Sequence, residues 1–253
     1  MRGNWRSPVS RIFLAGGAGA IGRRLTPLLC AAGHSVSGTT RSPDKADLLR
    51  SLGAEPIVVD VFDAQALVEA VLRAGPEVVI HQLTDLSLLH DPGKRAQALA
   101  SNASIRDQGT RNLVAAALEA GARRLIAQSI AWAYAPGAKP CREEDPLDVG
   151  AGGERGASAR GVASLERQVL DAPLIAGVVL RYGRLYGPGS GVEAPPPAPA
   201  VHVDAAAYAA LRAVEHGAPG AFNIADESDE VSTEKAVAEL GWRADFRIGA
   251  GRT

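Results

Sequence analysis

The 253-residue sequence predicts an α/β fold, a doubly wound parallel sheet, and three observations carry that prediction. Short β-type apolar runs alternate with stretches whose apolar residues recur at helical spacing, the pattern of parallel strands joined by helical crossovers. The first of these runs, Arg11 to Ala15, breaks into glycines at positions 16, 19 and 22 and leads straight into a helix. The length suits one large domain, or one domain with a small appendage, and either buries a sizeable core.

Taken in order, Arg11 to Ala15 is a compact apolar strand, and Ile21, Leu25, Leu28 and Leu29 mark one face of the helix after it. Strand-type His34 to Thr40 precedes helical Asp44 to Leu52, and Pro56 to Asp60 precedes helical Ala64 to Arg73. Glu77 to Leu83 is the fourth strand. A helix over about Gly109 to Ala120 leads into the strand Arg124 to Gln128, and one around Ala159 to Leu170 leads into Ile175 to Leu180. Thr84 to Ser104 and Ser129 to Ala157 read as long loops after carboxyl ends of strands, where open α/β sheets bind ligands, and the first is a candidate lid. Gly150 to Gly156 reads as mobile, and Pro195 to Pro197 with Pro199 as a stiff extended connector. Residues 1–181 are expected to form the main domain. Residues 182–253 are expected to form a small lobe whose sheet and helix elements partly return to it.

The glycine turn answers three demands: a tight strand-to-helix corner at Gly16, close approach of backbone to a pyrophosphate at Gly19, and close helix-on-strand packing at Gly22. The helix it opens offers unpaired amides at Ala20 and Ile21 and the positive end of a dipole. A Rossmann-type dinucleotide site follows. The second strand ends Thr39-Thr40-Arg41, where NAD-preferring sites usually carry an Asp or Glu. Arg41, with Ser42 and Lys45 close by, instead suits a 2′-phosphate, so NADP(H) is the expected cofactor. Asp60-Val61 is placed either to meet the adenine edge or to cap the following turn. Gln82, Leu83, Gln128 and Tyr182, at later strand ends, complete the expected cofactor set.

A net charge of −1, with 27 basic residues scattered along the chain, leaves no footprint for nucleic acid or a membrane surface. No apolar run approaches the ~18 residues that span a bilayer. Cys30 and Cys141 lack any paired metal spacing and read as reduced thiols. A cytoplasmic protein with no metal site is expected. The sequence does not indicate its oligomeric state.

From the glycine turn onward the chain resembles the short-chain dehydrogenase/reductase superfamily, in its extended, epimerase/dehydratase-like branch. The resemblance runs nearly end to end: Gly109-Thr110-Arg111-Asn112-Leu113, Ser129 to Ala135, Leu180 to Gly189, Val201-His202-Val203-Asp204, Phe222-Asn223-Ile224-Ala225 and Leu240-Gly241-Trp242. In that family a Ser or Thr orients the substrate, a Tyr transfers the proton and a Lys four residues on lowers its pKa. Matched to the family's segments, those slots hold Ile130, Ser158 and Val162, so none of the usual catalytic residues is present. A serine hydroxyl is a far poorer acid than a phenol.

Only 4% of the residues are aromatic, yet Trp132, Tyr134, Tyr182 and Tyr186 fall in the two segments flanking the expected nicotinamide end. That placement favours a flat small-molecule substrate. Ser129, Ile130, Trp132, Ser158 and Tyr186 are the candidate substrate contacts, and His81, His202 and Asp85 are further candidates for moving a proton. Only Ser190 to Ala200 separate the YGPG-like turn from the VxVxD-like strand, which leaves little chain for a nucleotide-sugar module. The pattern resembles triad-lacking ketoreductases of angucyclinone biosynthesis. It implies NADPH-dependent reduction of a polycyclic aromatic polyketide-type ketone, with the proton supplied by substrate or water. A nucleotide sensor without turnover and an epimerase or dehydratase stay open as alternatives.

Overall fold

The computed structural model describes residues 9–85 and 93–249. Seven strands, β1 (Arg11–Ala15), β2 (Ser35–Thr40), β3 (Glu55–Val58), β4 (Val78–His81), β5 (Arg124–Ile130), β6 (Ala176–Tyr182) and β9 (Gly220–Ile224), form one sheet in the order β3-β2-β1-β4-β5-β6-β9. All neighbours are parallel, with Phe13 opposite Ser37 on one side and Val79 on the other. This is the expected Rossmann-type doubly wound sheet. Its order reverses between β1 and β4, and the crevice at their carboxyl ends is where such sheets take ligands.

Alternation along each strand builds two cores. Ile12, Leu14, Val78 and Ile80 face α1 (Ala20–Ala31), α2 (Ala46–Ser51) and α7 (Val203–Glu215). Phe13, Ala15 and Val79 face α3 (Ala64–Ala74), α5 (Thr110–Glu119) and α6 (Gly153–Leu170). Leu25 and Leu29, one helical turn apart on α1, are fully buried and stabilise the fold by roughly 1.5–3 kcal/mol each. After β6 the chain makes a separate two-stranded parallel sheet from β7 (Arg184–Tyr186) and β8 (Ala200–His202), joined by an irregular segment that includes the prolines. It then packs α7 on α1 and rejoins the main sheet through β9.

Two expected loops are partly helical. The stretch 84–104 contains α4 (Arg95–Ser104), which continues through a π turn, Ile105–Gly109, into α5. The lid expectation also takes in residues 86–92, which lie outside the described residues. The glycine-rich stretch 150–156 is not a loose linker, because α6 begins at Gly153. Contacts override glycine's poor propensity there: Arg155 pairs with Asp148 and donates to the Tyr134 carbonyl, while Arg160 donates to the Val149 carbonyl. The segment between β5 and α6 is held by bridges from Tyr134 to Leu147 and from Cys141 to Val231. Among the described residues no helix is long and apolar enough to cross a membrane.

Candidate functional site

The glycine turn sits at the switch point. Gly16 has φ of +90°, and a Cβ there would lie 2.5 Å from the Gln82 carbonyl oxygen; a Cβ on Gly22 would lie 2.4 Å from the Gly16 carbonyl oxygen. Both positions exclude a side chain, so the backbone of the turn forms the floor itself. Thr39 Oγ1 accepts from the Gly16 amide at 3.1 Å and Gly19 N donates to the Gly16 carbonyl, which fixes the turn against β2. Helix geometry leaves the amides of Ala20, Ile21 and Gly22 without intrahelical acceptors, and no acidic residue stands in the first turn of α1. An anion is the natural partner of that end.

Over this turn opens a cleft of about 540 Å³. Of the expected cofactor set, Gly16, Gly19, Ala20, Ile21, Arg41, Ser42, Lys45, Val61, Gln82, Leu83 and Gln128 line it. Gly22 is packed beneath the turn. Asp60 accepts from the Phe62 amide at 3.0 Å and does not line the cleft, so the turn-capping alternative describes its bonding. Tyr182 is also away from the cleft wall: its ring lies in the core, 3% exposed, and its hydroxyl accepts from Gln82 Nε2 at 3.3 Å. The Oε1 of the same Gln82 is buried without a partner, an acceptor in the cleft wall suited to a ligand hydroxyl. Glycines that a Cβ would fill, free helix amides and this orphan acceptor together fit a dinucleotide.

The sequence reading missed part of the wall. Thr40, Phe62 and Thr84 line it, as do Ile105 of the π turn and, from beyond β7, Gly189-Ser190-Gly191 close to Arg23. The YGPG-like turn stands out in the sequence as a motif, but only the fold brings its Gly189 to the cleft beside Arg23.

None of the expected substrate contacts lines this cleft. Ile130, at the end of β5, and Val162, on α6, are 8% and 1% exposed and pack with Ala133 beside Trp132 and Leu147. Trp132 is half-buried, with the Arg184 guanidinium 5.1 Å above its ring. Ser158 is half-buried, and its Oγ accepts from Arg106 Nη1 at 3.0 Å. Ser129 is structural instead: its Oγ donates to Glu166 Oε1 at 2.7 Å inside a buried network with Arg181. Arg181 also donates to the Tyr134 hydroxyl, which donates to Asn223 Oδ1 at 2.7 Å.

The phenols are poor acids. Burial pushes Tyr134 up to about 12 and raises Tyr182 and Tyr186, the last packed T-shaped against the His202 ring. Burial likewise pulls His81 down to about 4; its Nδ1 accepts from the Leu83 amide and its Nε2 meets Thr110 Oγ1 at 3.1 Å. His202 caps α7 by accepting from the Asp204 amide, and burial lowers its pKa too. Asp85 pairs with Arg41 at 3.4 Å.

A family model described as NAD(P)H-binding matches residues 16–151. The 3-diazoavenalumate denitrifying reductase of a Streptomyces species is 44% identical over 239 residues, 86% of this chain and 76% of that protein. A Stigmatella aurantiaca ketoreductase for 4-hydroxy-2-methyl-3-oxo-4-farnesyl-3,4-dihydroquinoline-1-oxide is 33% identical over 118 residues, 46% of this chain and 32% of that protein. Among solved structures, the Bordetella bronchiseptica enzyme WbmG in complex with NAD and UDP superposes with a TM-score of 0.73 at 20% identity, covering 96% of this chain and 92% of that one.

Proposed function

Since the chain belongs to the NAD(P)H-binding family and is an NAD(P)-dependent oxidoreductase, we propose that it uses NADPH to reduce a flat aromatic substrate without a phenolic proton donor. Arg41, Ser42 and Lys45 line one end of the cleft, and the guanidinium fork of Arg41 fits a 2′-phosphate. Bound NADPH supplies the hydride. The glycine turn and the first amides of α1 would hold its pyrophosphate, and Gln82 Oε1, buried without a partner, would accept from one of its hydroxyls.

The observation that carries the reading is the pair of slots filled by Ile130 and Val162, apolar and packed together where the resemblance calls for a hydroxyl and an ammonium. A ketone needs a proton as its alkoxide forms. An aryl diazonium does not. When it accepts hydride, its C–N bond breaks, N2 leaves, the hydrogen stays on the ring carbon and NADP+ remains, with no proton taken from the protein. The similarity to a denitrifying reductase of a diazo compound supports this substrate class. Trp132, half-buried beside the packed Ile130–Val162 pair, offers a ring face, and that apolar surface would keep water from a substrate held against it.

Ketone reduction is the second reading, favoured by the similarity to a named ketoreductase. There the substrate is the expected polycyclic aromatic polyketide-type ketone, and its own phenol or water provides the proton. The epimerase or dehydratase alternative rests on the motif resemblance and on fold likeness to a solved epimerase and a solved dehydratase. The test is NADPH oxidation with a panel of aryl diazo compounds and a panel of polycyclic ketones. Nitrogen release matching NADPH consumption supports the first reading, and consumption on ketones alone supports the second. Tight NADPH binding with no consumption on either panel contradicts both.

A further inference from the structure

Arg106 lies in the π turn between α4 and α5. A π turn carries one residue more than the helix around it, re-aims the side chains there, and recurs at functional sites. Here it turns Arg106 onto α6, with its Cδ 3.5 Å from where a Cβ on Gly161 would stand, a space that glycine leaves open. Nη1 reaches Ser158 Oγ at 3.0 Å.

Its partners set it apart from the other inward-facing arginines. Arg181 donates twice to Glu166 and also reaches Tyr134 and the Glu143 carbonyl. Arg124 donates to three carbonyls. Among the described residues, Ser158 is the one acceptor of the Arg106 side chain, and no carboxylate pairs with it. The adjacent Asp107 is turned elsewhere, to Arg111 and Ser164. Burial draws the guanidinium down to about 10, so it stays charged at neutral pH, and it helps keep nearby His81 neutral. A guanidinium has five N–H donors and Ser158 takes one of them, so the others can serve a guest that reaches this half-buried position. Ser158 accepts from Arg106, so its own hydroxyl hydrogen is free to donate to the same guest.

We propose that Arg106, with Ser158 beside it, is the site that binds an anionic oxygen of the substrate, a carboxylate or a phenolate on an aromatic ring. This deepens the reductase reading and rests on it for the location of the substrate. Arg106 and Ser158 are both half-buried rather than sealed, so a ligand can reach them.

Binding without turnover tests it, so that a failure of the reductase reading shows up elsewhere, as NADPH left unconsumed. The NADP+-loaded protein is titrated calorimetrically at pH 8 with 4-methoxycinnamate, with 4-nitrophenolate and with the neutral methyl 4-methoxycinnamate. Charge-assisted hydrogen bonds of this kind predict that at least one anion binds roughly 10- to 100-fold more tightly than the ester. Which anion does so identifies the source of the oxygen. Arg106→Gln should abolish that preference with NADP+ affinity unchanged, and Arg106→Lys should restore part of it. Equal affinities for anions and ester in the unaltered protein, no binding of either anion, or a preference that survives Arg106→Gln overturns the assignment. The unaltered protein alone decides the first two outcomes, whether or not the variants fold.

Discussion

Replacing Gly22 by alanine should damage the nucleotide site more than it damages the fold. The new Cβ would lie 2.4 Å from the Gly16 carbonyl oxygen and 2.6 Å from that of Gly17. Ordinary contact begins near 3.4 Å, so the turn and the helix must part by about 1 Å, as overpacking of any well-filled site demands. The turn has no slack behind it, because Gly16 already presses on the Gln82 carbonyl at a distance that leaves no room for a side chain. Relief therefore comes from lifting the start of α1, whose amides are proposed to hold the pyrophosphate. Overpacking of this kind costs about 1–3 kcal/mol of stability. Losing one or two charge-assisted hydrogen bonds should weaken NADPH binding by roughly 10- to 100-fold or more. Urea unfolding measures the first effect and fluorescence titration with NADPH the second. Gly150→Ala is the control, since nothing stands within 4 Å of its Cβ position. An unchanged NADPH affinity in Gly22→Ala would refute the view that this backbone is the phosphate floor.

Arg41→Ala should lower the preference for NADPH over NADH by roughly 10- to 100-fold, with NADH kinetics nearly unchanged, because under the proposal the contact that the guanidinium makes to the nucleotide is to the 2′-phosphate, which NADH lacks; steady-state kinetics with both nucleotides checks it. Ser158→Ala should keep kcat within about tenfold of the parent enzyme if, as proposed, its hydroxyl is not the acid of the reaction; a loss of a hundredfold or so in kcat would make it one. Burial alone would raise the Asp204 carboxyl, but hydrogen bonds from Arg24 and the Ile248 amide outweigh it and hold its pKa below the usual value. The stability it contributes is therefore present above the unfolded-state pKa near 4 and lost as pH falls through the depressed folded value. Asp204→Asn should cost about 1–3 kcal/mol at pH 7 and flatten acid unfolding below pH 4, as denaturant titrations across pH will show.

Where a local pattern sufficed, the sequence was legible. The glycine spacing, the Thr39-Thr40-Arg41 strand end and the compact apolar run Arg11 to Ala15 each state their own structure. Helix α4 was not legible, because Arg95 to Ser104 carries one leucine among small and polar residues and the π turn after it shifts the helical phase. The start of α6 was hidden by its glycines. Gly156 is needed there because a Cβ would fall 1.7 Å from the Ala151 carbonyl oxygen, a tertiary reason that composition does not display. Ser129 looked available to a substrate until Glu166, 37 residues on, took its hydroxyl. Tyr182 looked like a pocket residue, yet the same strand buries its ring in the core. Arg106 carries no signal in the sequence, since an arginine in a helical stretch usually faces water and its partner lies 52 residues away.

The most direct test of a reductase that works without a proton donor follows the hydride itself. The protein is incubated with NADPH carrying deuterium at the transferred position and an aryl diazo substrate, and the arene is analysed by mass spectrometry and NMR. The account predicts one deuterium on the carbon that lost its nitrogen, with one N2 released per NADPH consumed. Product that carries solvent hydrogen at that carbon, or NADPH left unconsumed as nitrogen is lost, would contradict it.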